Sequence, residues 1–341
     1  AHMALLSDPP VDAVLAELAE DGRLVHTEDL AARPGRHQAL ARPLPRSVAE
    51  RGGAEQLWTH QAQAIDLIRD GRSVVIVTGT ASGKSRCYQL PVAEAVADPI
   101  HPATALALFP TKALAQDQLR ALAAPDFDAL VAATYDGDDD RERRTWVRAN
   151  ANVVLTNPEM LHAGMLPRHA KWDTLLMRLR YVVVDELHVL RGVFGTHVAQ
   201  LLRRLRRIAR HYGADPTFIF CSATIGEPER LASALCGAPV HAVTDDGSPR
   251  GPRRFALLDP PVIDETTGVR SSTNSECASV SAALVESGHR TITFCRSRKG
   301  TELVAADIAR KLPAGLADAV MAYRAGYLAD ERRTIEHELF G

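Results

Sequence analysis

The middle of the chain alternates short apolar runs with stretches in which apolar residues recur every three or four positions. Six runs are rich in β-branched residues and apolar at consecutive positions, namely 73–78, 104–110, 152–157, 181–186, 217–224 and 291–297. Runs that are apolar on both faces are typical of a parallel sheet covered by helices on each side. Helical spacing lies between them, as in THQAQAIDLIRD and KALAQDQLRALAA. The pattern therefore predicts a doubly wound α/β domain.

This alternation predicts four parts along the chain. Residues 1–50 form an N-terminal extension, and its first three residues, Ala-His-Met, look like a cloning scar. Residues 51–245 hold the main α/β domain. Residues 246–274 are polar and rich in turn formers, which favours a linker. Residues 275–341 restart the helix, strand, helix alternation, and we expect only a partial second domain because a complete one needs more elements.

Composition adds limits on location and partners. Of the 341 residues, 46% are hydrophobic and 24% are charged, which suits a protein with a large core. No apolar run is long enough to cross a membrane, and the N-terminus carries no secretory signal, so a cytoplasmic protein is expected. A monomer is expected as well. The net charge is −2, so a surface for nucleic acid would have to be a local basic patch.

The segment TGTASGKS (78–85) directly follows the first apolar run and begins a helical stretch, which is the context of a phosphate-binding loop. Small residues let successive backbone N–H groups converge on an anion that faces the positive end of the helix dipole. We expect Lys84 to reach the β and γ phosphates and the Ser85 hydroxyl to bind Mg²⁺. The residues predicted to contact the nucleotide are Thr80, Ala81, Ser82, Gly83, Lys84 and Ser85.

The match to the strict phosphate-loop pattern is imperfect, because Thr78 stands where the pattern has its first glycine. On its own, the segment leaves open a simple Gly/Ser turn with an exposed lysine. The rest of the sequence decides between these two interpretations.

Two adjacent carboxylates, Asp185 and Glu186, follow the apolar run that begins at Tyr181. Ligands of parallel sheets bind at the carboxyl ends of the strands, so both acids are predicted to face the phosphate loop. Asp185 suits the coordination shell of Mg²⁺, and Glu186 is placed to orient or deprotonate an attacking water. Ser222-Ala223-Thr224 ends another apolar run, although an ordinary helix cap would look the same.

With these three segments in this order, the chain resembles the superfamily 2 helicases of the DExH type. LWTHQAQAI (57–65) is similar to the adenine-recognising Q-motif, which places Gln61 on the base. FPTKALAQDQ, TYDGDDDRERR and TNPEMLH resemble segments that contact nucleic acid, and ITFCRSRKGTELV resembles motif IV. AYRAGYLADERR (322–333) resembles the strand and helix behind motif IV. The resemblance implies nucleic-acid contacts by Thr111, Lys112, Asp136, Gly137, Thr156, Asn157 and Arg296.

The resemblance also implies that His188, Ser222 and Thr224 couple the nucleotide to the nucleic acid. TGTASGKSRCYQLPV, DELHVLRGVFGTHVA and AYRAGYL narrow the likeness to the YprA, MrfA and SftH branch, which is related to the RecQ-like helicases. The likeness covers about residues 25–341. It implies a P-loop, RecA-like fold and an ATP- and Mg²⁺-dependent enzyme that moves 3′ to 5′ on single-stranded or tailed DNA in DNA repair.

The residues up to Gly341 lack several sequence elements of that family. Motifs V and VI, which carry the arginine finger of such helicases, do not occur in these residues, and neither does the four-cysteine metal-binding domain of the branch. An arginine finger contributes on the order of 10³ to 10⁵ in rate to phosphoryl transfer. We therefore expect these residues to bind ATP, to hydrolyse it poorly and to unwind little.

Two other functions compete with the helicase interpretation. A P-loop ATPase of another kind would turn over nucleotide without regard to single-stranded DNA. A non-catalytic nucleic-acid-binding module would keep the fold without the chemistry, but the intact Lys84, Asp185 and Glu186 argue against it.

Overall fold

The computed structural model describes residues 9–125, 127, 129–324, 326–327, 334–335 and 338–339. The three residues that look like a cloning scar, and most of the segment 322–333, lie outside these described residues. The chain divides into two compact units. One contains Pro34–Arg250, and the other combines the residues up to Arg33 with those from Gly251 onward.

The strands, in chain order, are β1 (Leu24–Leu30), β2 (Val74–Val77), β3 (Thr104–Leu108), β4 (Ala132–Thr134), β5 (Val153–Thr156), β6 (Leu179–Val184), β7 (Thr217–Ser222), β8 (His241–Val243), β9 (Arg253–Leu258), β10 (Val262–Asp264) and β11 (Val269–Arg270). The α-helices are α1 (Pro9–Glu20), α2 (Arg46–Arg51), α3 (Thr59–Arg69), α4 (Lys84–Val96), α5 (Lys112–Ala123), α6 (Arg141–Asn150), α7 (Pro158–Met160), α8 (Asp173–Met177), α9 (Gly192–His211), α10 (Pro228–Cys236), α11 (Thr273–Glu286), α12 (Arg298–Lys311) and α13 (Ala314–Ala317). A π-helical turn (Leu161–Met165) and two 3₁₀ helices (Leu166–Trp172 and Leu187–Val189) complete the set.

The unit Pro34–Arg250 is built on a seven-stranded sheet with the order β4-β5-β3-β6-β7-β2-β8. Every neighbouring pair in it is parallel. All carboxyl ends therefore meet at one edge of the sheet. This is the α/β fold that the apolar runs predict.

Both faces of this sheet are buried, as the continuous apolar runs require. Along β2, Val75 and Val77 pack into one core cluster, whereas Val74 and Ile76 pack into the other. Successive strand side chains point to opposite faces, so four consecutive valines and isoleucines satisfy two helical layers at once. The first cluster includes residues of α9 and α10, and the second includes residues of α3, α4 and α5.

Five of the six apolar runs form strands of this sheet, and the sequence analysis did not identify its two edge strands, β4 and β8. Each edge strand has only three residues. So short a segment offers no periodicity, and its strand character comes from pairing with β5 or β2.

The sixth run, 291–297, was predicted as a strand, and this prediction is wrong. The structure assigns no strand to these residues, and the Phe294 side chain is 91% exposed. A strand is stabilised by pairing with its neighbours, and no described residue pairs with this run. The flanking helices, α11 and α12, do form as the sequence predicts.

The second unit joins the two ends of the chain. Strand β1 pairs antiparallel with β9, from Leu24 opposite Leu258 to Leu30 opposite Arg253. Strand β10 pairs antiparallel with β11. Arg254 of β9 donates to the Asp29 carboxylate of β1 at 2.5 Å and also pairs with Asp12 of α1. A small apolar core between α11 and α12 includes Ala278, Val304 and Ile308.

The unit boundaries differ from those drawn on the sequence. The sheet-containing unit begins at Pro34 rather than at residue 51. Residues before α3, including Leu44 and Val48, share a core cluster with residues of α3 and α4. Residues up to Arg33 and those of the predicted linker 246–274 contribute β1, β9, β10 and β11 to the second unit. None of the helices in the described part of the chain has the length and apolar character needed to cross a lipid bilayer.

Candidate nucleotide and nucleic-acid site

The predicted site residues of the sheet-containing unit lie along one edge of its sheet. The phosphate loop follows β2, the two acids follow β6 and Thr224 follows β7. Thr111 comes shortly after β3, Asp136 after β4 and Asn157 directly after β5. The strand order places β6, β7 and β2 on one half of the edge and β4, β5 and β3 on the other. The nucleotide residues and the nucleic-acid residues thus form two adjoining groups.

The phosphate loop is held in a tight turn by its own small side chains. Thr78 and Ser82 share a hydrogen bond between their hydroxyls at 2.7 Å. Ala81 has φ of 59° and Gly83 has φ of 77°, and the left-handed conformation at alanine is a strained one. Lys84 begins α4, and its ammonium donates to the carbonyl oxygens of Thr78 (3.0 Å) and Gly79 (2.8 Å). The lysine therefore lies over the loop, where a bound phosphate would compete for it.

Gln61 lies beside this loop and is only 1% exposed. Its amide nitrogen donates to the Gly83 carbonyl at 2.9 Å, and its amide oxygen accepts from the Trp58 N–H at 3.0 Å. A Cβ on Gly83 would stand 2.6 Å from that amide nitrogen, so glycine is required there. Gln61 thus ties the start of α3 to the phosphate loop, a contact that the sequence analysis did not predict.

The acid pair adopts an unusual backbone conformation. Glu186 has φ of 55°, in the left-handed region, and its N–H donates to the Asp185 carboxylate at 2.8 Å. The Glu186 carboxylate lies 3.1 Å from Nδ1 of His188. Because strained backbone persists only where its surroundings enforce it, the turn favours a functional role for these residues.

Burial raises the pKa of the Asp185 carboxyl, and the neighbouring Glu186 carboxylate acts in the same direction. The Glu186 N–H and the Lys84 ammonium act to lower that pKa, so Lys84 and Asp185 lie within electrostatic range of each other. A carboxylate whose charge is disfavoured in this way gains from a nearby cation. Mg²⁺ prefers one or two protein oxygens together with water and phosphate oxygens. Ser85 and Asp185 fit that requirement, and they are the residues that would hold Mg²⁺.

The candidate coupling residues differ in exposure. Ser222 pairs in register with Val77, so it lies next to the start of the phosphate loop. Its hydroxyl is buried and has no hydrogen-bond partner among the described residues. Thr224 is exposed. A buried hydroxyl without a partner is a costly group, and here it lies beside the predicted nucleotide site.

Five of the predicted nucleic-acid residues line one narrow cleft, namely Thr111, Lys112, Asp136, Thr156 and Asn157. Thr111 accepts from the Leu114 N–H and caps α5, and Asn157 accepts from the Met160 N–H. The Thr156 hydroxyl is buried and donates to the Tyr135 carbonyl at 2.6 Å. Three of these side chains therefore shape the cleft itself.

The loop after β4 makes this cleft acidic. Lys112 pairs with Asp138, a bond that raises the pKa of the lysine, and it lies 3.6 Å from Asp136. Gly137 has open space around its Cα, and its carbonyl accepts from Arg144 at 2.8 Å. The single lysine of the cleft is thus largely neutralised. Arg296, predicted to contact nucleic acid, lies in the other unit and is exposed.

Comparison with known proteins identifies the family of this fold and site. A family model described as DEAD/DEAH box helicase matches residues 58–231, from the start of α3 to α10. The chain belongs to the DEAD/DEAH box helicase family. The matched residues contain the phosphate loop, the acid pair and the narrow cleft.

Two curated helicases and one solved structure are similar over nearly the whole chain. The uncharacterized ATP-dependent helicase YprA of Bacillus subtilis is 40% identical over 96% of this chain and 44% of its own length. The ATP-dependent helicase HRQ1 of Saccharomyces cerevisiae is 37% identical over 93% of this chain and 30% of its own length. The crystal structure of the helicase MrfA bound to DNA matches with a TM-score of 0.88 and 37% identity, over 96% of this chain and 44% of MrfA. The chain spans less than half the length of each.

The helicase chain also contains a site residue that the sequence analysis missed, Asp246, in the turn after β8. Its carboxylate is 7% exposed and accepts from the Gly79 N–H of the phosphate loop at 3.2 Å. It also accepts from the Ser248 hydroxyl at 2.6 Å and from Arg250 at 2.6 Å. A Cβ on Gly79 would stand 2.5 Å from the Arg250 guanidinium and 3.3 Å from the Asp246 carboxylate, so a larger residue there would displace the Arg250 side chain. Asp246 therefore anchors the first residue of the loop after Thr78.

We expect Asp246→Asn to destabilise the helicase chain by about 2 to 4 kcal/mol, because one amide nitrogen would face donors that now bind a carboxylate. Burial acts to raise the pKa of Asp246, but hydrogen bonds from Ser248, Arg250 and Gly79 outweigh it and hold that pKa well below 3.8. A lowered pKa stabilises the fold above pH 3.8, and the benefit is lost as the pH falls through the folded pKa.

Chemical denaturation at pH 7 and near pH 3 measures this effect, and the difference between variant and parent should shrink at the lower pH. Asp245→Asn is the matched control, because Asp245 is exposed and pairs with Arg36. Equal stability of the Asp246 variant and the parent at pH 7 would contradict the anchoring role.

Proposed function

We propose that this chain is the nucleotide-binding part of an ATP-dependent DNA helicase or translocase. The observation that supports the proposal is the division of one sheet edge into two adjoining groups, with the phosphate loop and acids after β2 and β6 and the cleft after β3, β4 and β5. A motor needs both on one rigid sheet, because nucleotide state must change the grip on the strand.

In this proposal the phosphate loop binds the phosphates of ATP through the backbone N–H groups of residues 79–85. The Lys84 ammonium exchanges its hydrogen bonds to the loop carbonyls for contacts with the phosphates. Ser85 and Asp185 hold Mg²⁺, which neutralises charge on the phosphates. Glu186 orients the attacking water and accepts its proton, and His188 holds the Glu186 carboxylate in position. Gln61 contacts the loop through a hydrogen bond to the Gly83 carbonyl. The family resemblance implies that Gln61 also contacts adenine.

The strand would lie along the narrow cleft and be bound through its backbone, since a motor must ignore sequence. The residues that shape this path are Thr111, Lys112, Asp136, Gly137, Thr156 and Asn157. For Arg296, a residue of the other unit, contact with nucleic acid is what the family resemblance implies. DNA is the proposed strand because the similar helicase MrfA has been solved bound to DNA. We further propose that the enzyme is monomeric, moves 3′ to 5′ on tailed DNA and acts in DNA repair, as the family resemblance implies.

Coupling between the two ligands tests this function. We expect the chain to bind a fluorescent oligothymidylate, and ATP with Mg²⁺ should change that affinity by a factor of about 5 to 100. Fluorescence anisotropy with and without a non-hydrolysable ATP analogue measures the factor, and a matched oligoribonucleotide tests the preference for DNA. ATP binding with no effect of DNA would favour an unrelated P-loop ATPase. DNA binding without ATP binding would favour a non-catalytic module.

A further inference from the structure

A basic cavity of about 300 Å³ lies in the sheet-containing unit next to the narrow cleft. Five cationic side chains line it, namely Arg141, Arg144, Arg148, Arg168 and Lys171. We call this cavity the arginine pocket. It is formed mainly by α6 and by the 3₁₀ helix Leu166–Trp172. Arg141 and Arg144 end the segment TYDGDDDRERR, but the family resemblance implies nucleic-acid contacts only for Asp136 and Gly137 of that segment, and for none of these five side chains.

The cations converge because of helical spacing. Arg141, Arg144 and Arg148 are separated by three and four positions on α6, so they share one face of the helix. Arg168 and Lys171 are three apart in Leu166–Trp172, a segment whose backbone is kinked at Arg168 (φ −118°, ψ 32°), and both line the same cavity. Two rows of positive charge thus face one cavity.

The charges of the pocket are not neutralised by the protein. No carboxylate of the described residues lies within ion-pair distance of any of the five. Their hydrogen-bond partners among the described residues are neutral oxygens, such as the Ala163 carbonyl for Arg168 and the Thr145 hydroxyl for Arg148. The Nε of Arg144 is buried and has no hydrogen-bond partner within the part of the chain that the structure describes. Like charges held together in this way repel, and an anion would relieve the repulsion.

The pocket also adjoins the proposed strand path. Tyr135 lines both the pocket and the narrow cleft. Arg144 donates to the carbonyl oxygens of Asp136 (3.3 Å) and Gly137 (2.8 Å), so the pocket and the cleft share a wall. The ring of Trp172 meets Tyr135 edge-on with 4.8 Å between ring centroids, which makes that wall rigid.

We infer that the arginine pocket binds phosphate groups of the same nucleic-acid strand as the narrow cleft and supplies the positive charge that the cleft lacks. The inference rests on the proposed function. In the cleft, Lys112 is paired with acids, and the loop after β4 carries several more, so backbone phosphates gain little there. The pocket offers five cations at the low end of the volume range of ligand sites, which suits a short stretch of backbone.

The test is a double substitution, Arg141→Gln with Arg148→Gln. These two arginines are chosen because neither supports the loop after β4, as Arg144 does. The matched control is Arg72→Gln with Arg178→Gln, which removes the same charge from exposed positions just before β2 and β6, at the opposite edge of the sheet. Binding of a labelled oligothymidylate of about 20 nucleotides is measured between about 50 and 200 mM salt.

We expect the pocket variant to bind the oligothymidylate about tenfold or more weakly at the lower salt concentration. The slope of log affinity against log salt should become shallower by about 1.4, or 0.7 for each lost phosphate contact on a single strand. The control should stay within about twofold of the parent, and ATP affinity should be the same in all three proteins.

Three outcomes would overturn the inference, and they are distinguishable. If the parent binds the oligothymidylate and the pocket variant matches the control, the pocket does not contact the strand, although the proposed function stands. If the parent itself fails to bind, the proposed function fails and the assignment of the pocket fails with it. If inorganic pyrophosphate raises the melting temperature of the parent but not of the pocket variant, while DNA affinity is equal, the pocket serves a free anion.

Discussion

Lys84→Ala should weaken ATP binding by a factor on the order of 100 or more, about 3 kcal/mol, because charge-assisted hydrogen bonds to phosphate are lost. The ammonium already lies over the phosphate loop, where it donates to the Thr78 and Gly79 carbonyls. A bound phosphate would replace those carbonyls as its partner. Titration calorimetry with ATP and Mg²⁺ measures the loss.

Loss of the loop contacts of Lys84 could also loosen the loop, so the fold needs its own measurement. The melting temperature of Lys84→Ala should stay near that of the parent, since the substituted side chain is at the surface edge of the sheet. Lys311→Ala, at the end of α12, is the control for removing one lysine charge. Unchanged ATP affinity in Lys84→Ala would overturn the nucleotide site.

Glu186→Gln is expected to preserve ATP binding within about threefold and to slow hydrolysis by about 10² to 10⁴. Glutamine keeps the shape of the side chain next to His188, but it cannot take a proton from water. Single-turnover hydrolysis by the chain, with saturating oligothymidylate, measures the rate even where steady-state turnover is slow.

The structure offers a close control for this substitution. Glu227 also follows a strand of the sheet and also has a positive φ, 49°, but its carboxylate pairs with Arg230 of α10. Glu227→Gln therefore tests whether a glutamine in the left-handed conformation alters the rate by itself. Hydrolysis by Glu186→Gln at the parent rate would show that another group activates the water.

The central fold was predictable because a strand that is buried on both faces has apolar residues at consecutive positions. Runs such as VVIV in β2 have no polar face, and only a sheet between two helical layers accommodates them. The run TITFCRS has the same composition, yet it forms no strand here. Composition gives strand propensity, whereas a strand exists only where neighbours pair with it.

The site was predictable to the extent that it follows strand ends. Lys84, Asp185 and Thr111 each come just after an apolar run, and a parallel sheet brings such positions to one edge, so their common location could be predicted, whereas their roles stay predictions. Asp246 could not be found in this way. Its contact with Gly79 joins residues far apart in sequence. The segment TDDGSPR by itself predicts only a turn.

The arginine pocket shows the same limit in a different form. The spacing of Arg141, Arg144 and Arg148 is visible in the sequence, but such a row is usually just a solvated helix face. Only the approach of Arg168 and Lys171 from a second element makes it a cavity.

The pairing of β1 with β9 has a consequence for biosynthesis. Leu24 emerges from the ribosome long before its partner Leu258, and at about 5 to 20 residues per second the delay is on the order of 10 s or more. During that interval the whole of Pro34–Arg250 becomes available and can complete its own sheet. The pairing of β1 with β9 therefore forms only after the sheet-containing unit, which lies between these two strands in sequence, has had time to fold.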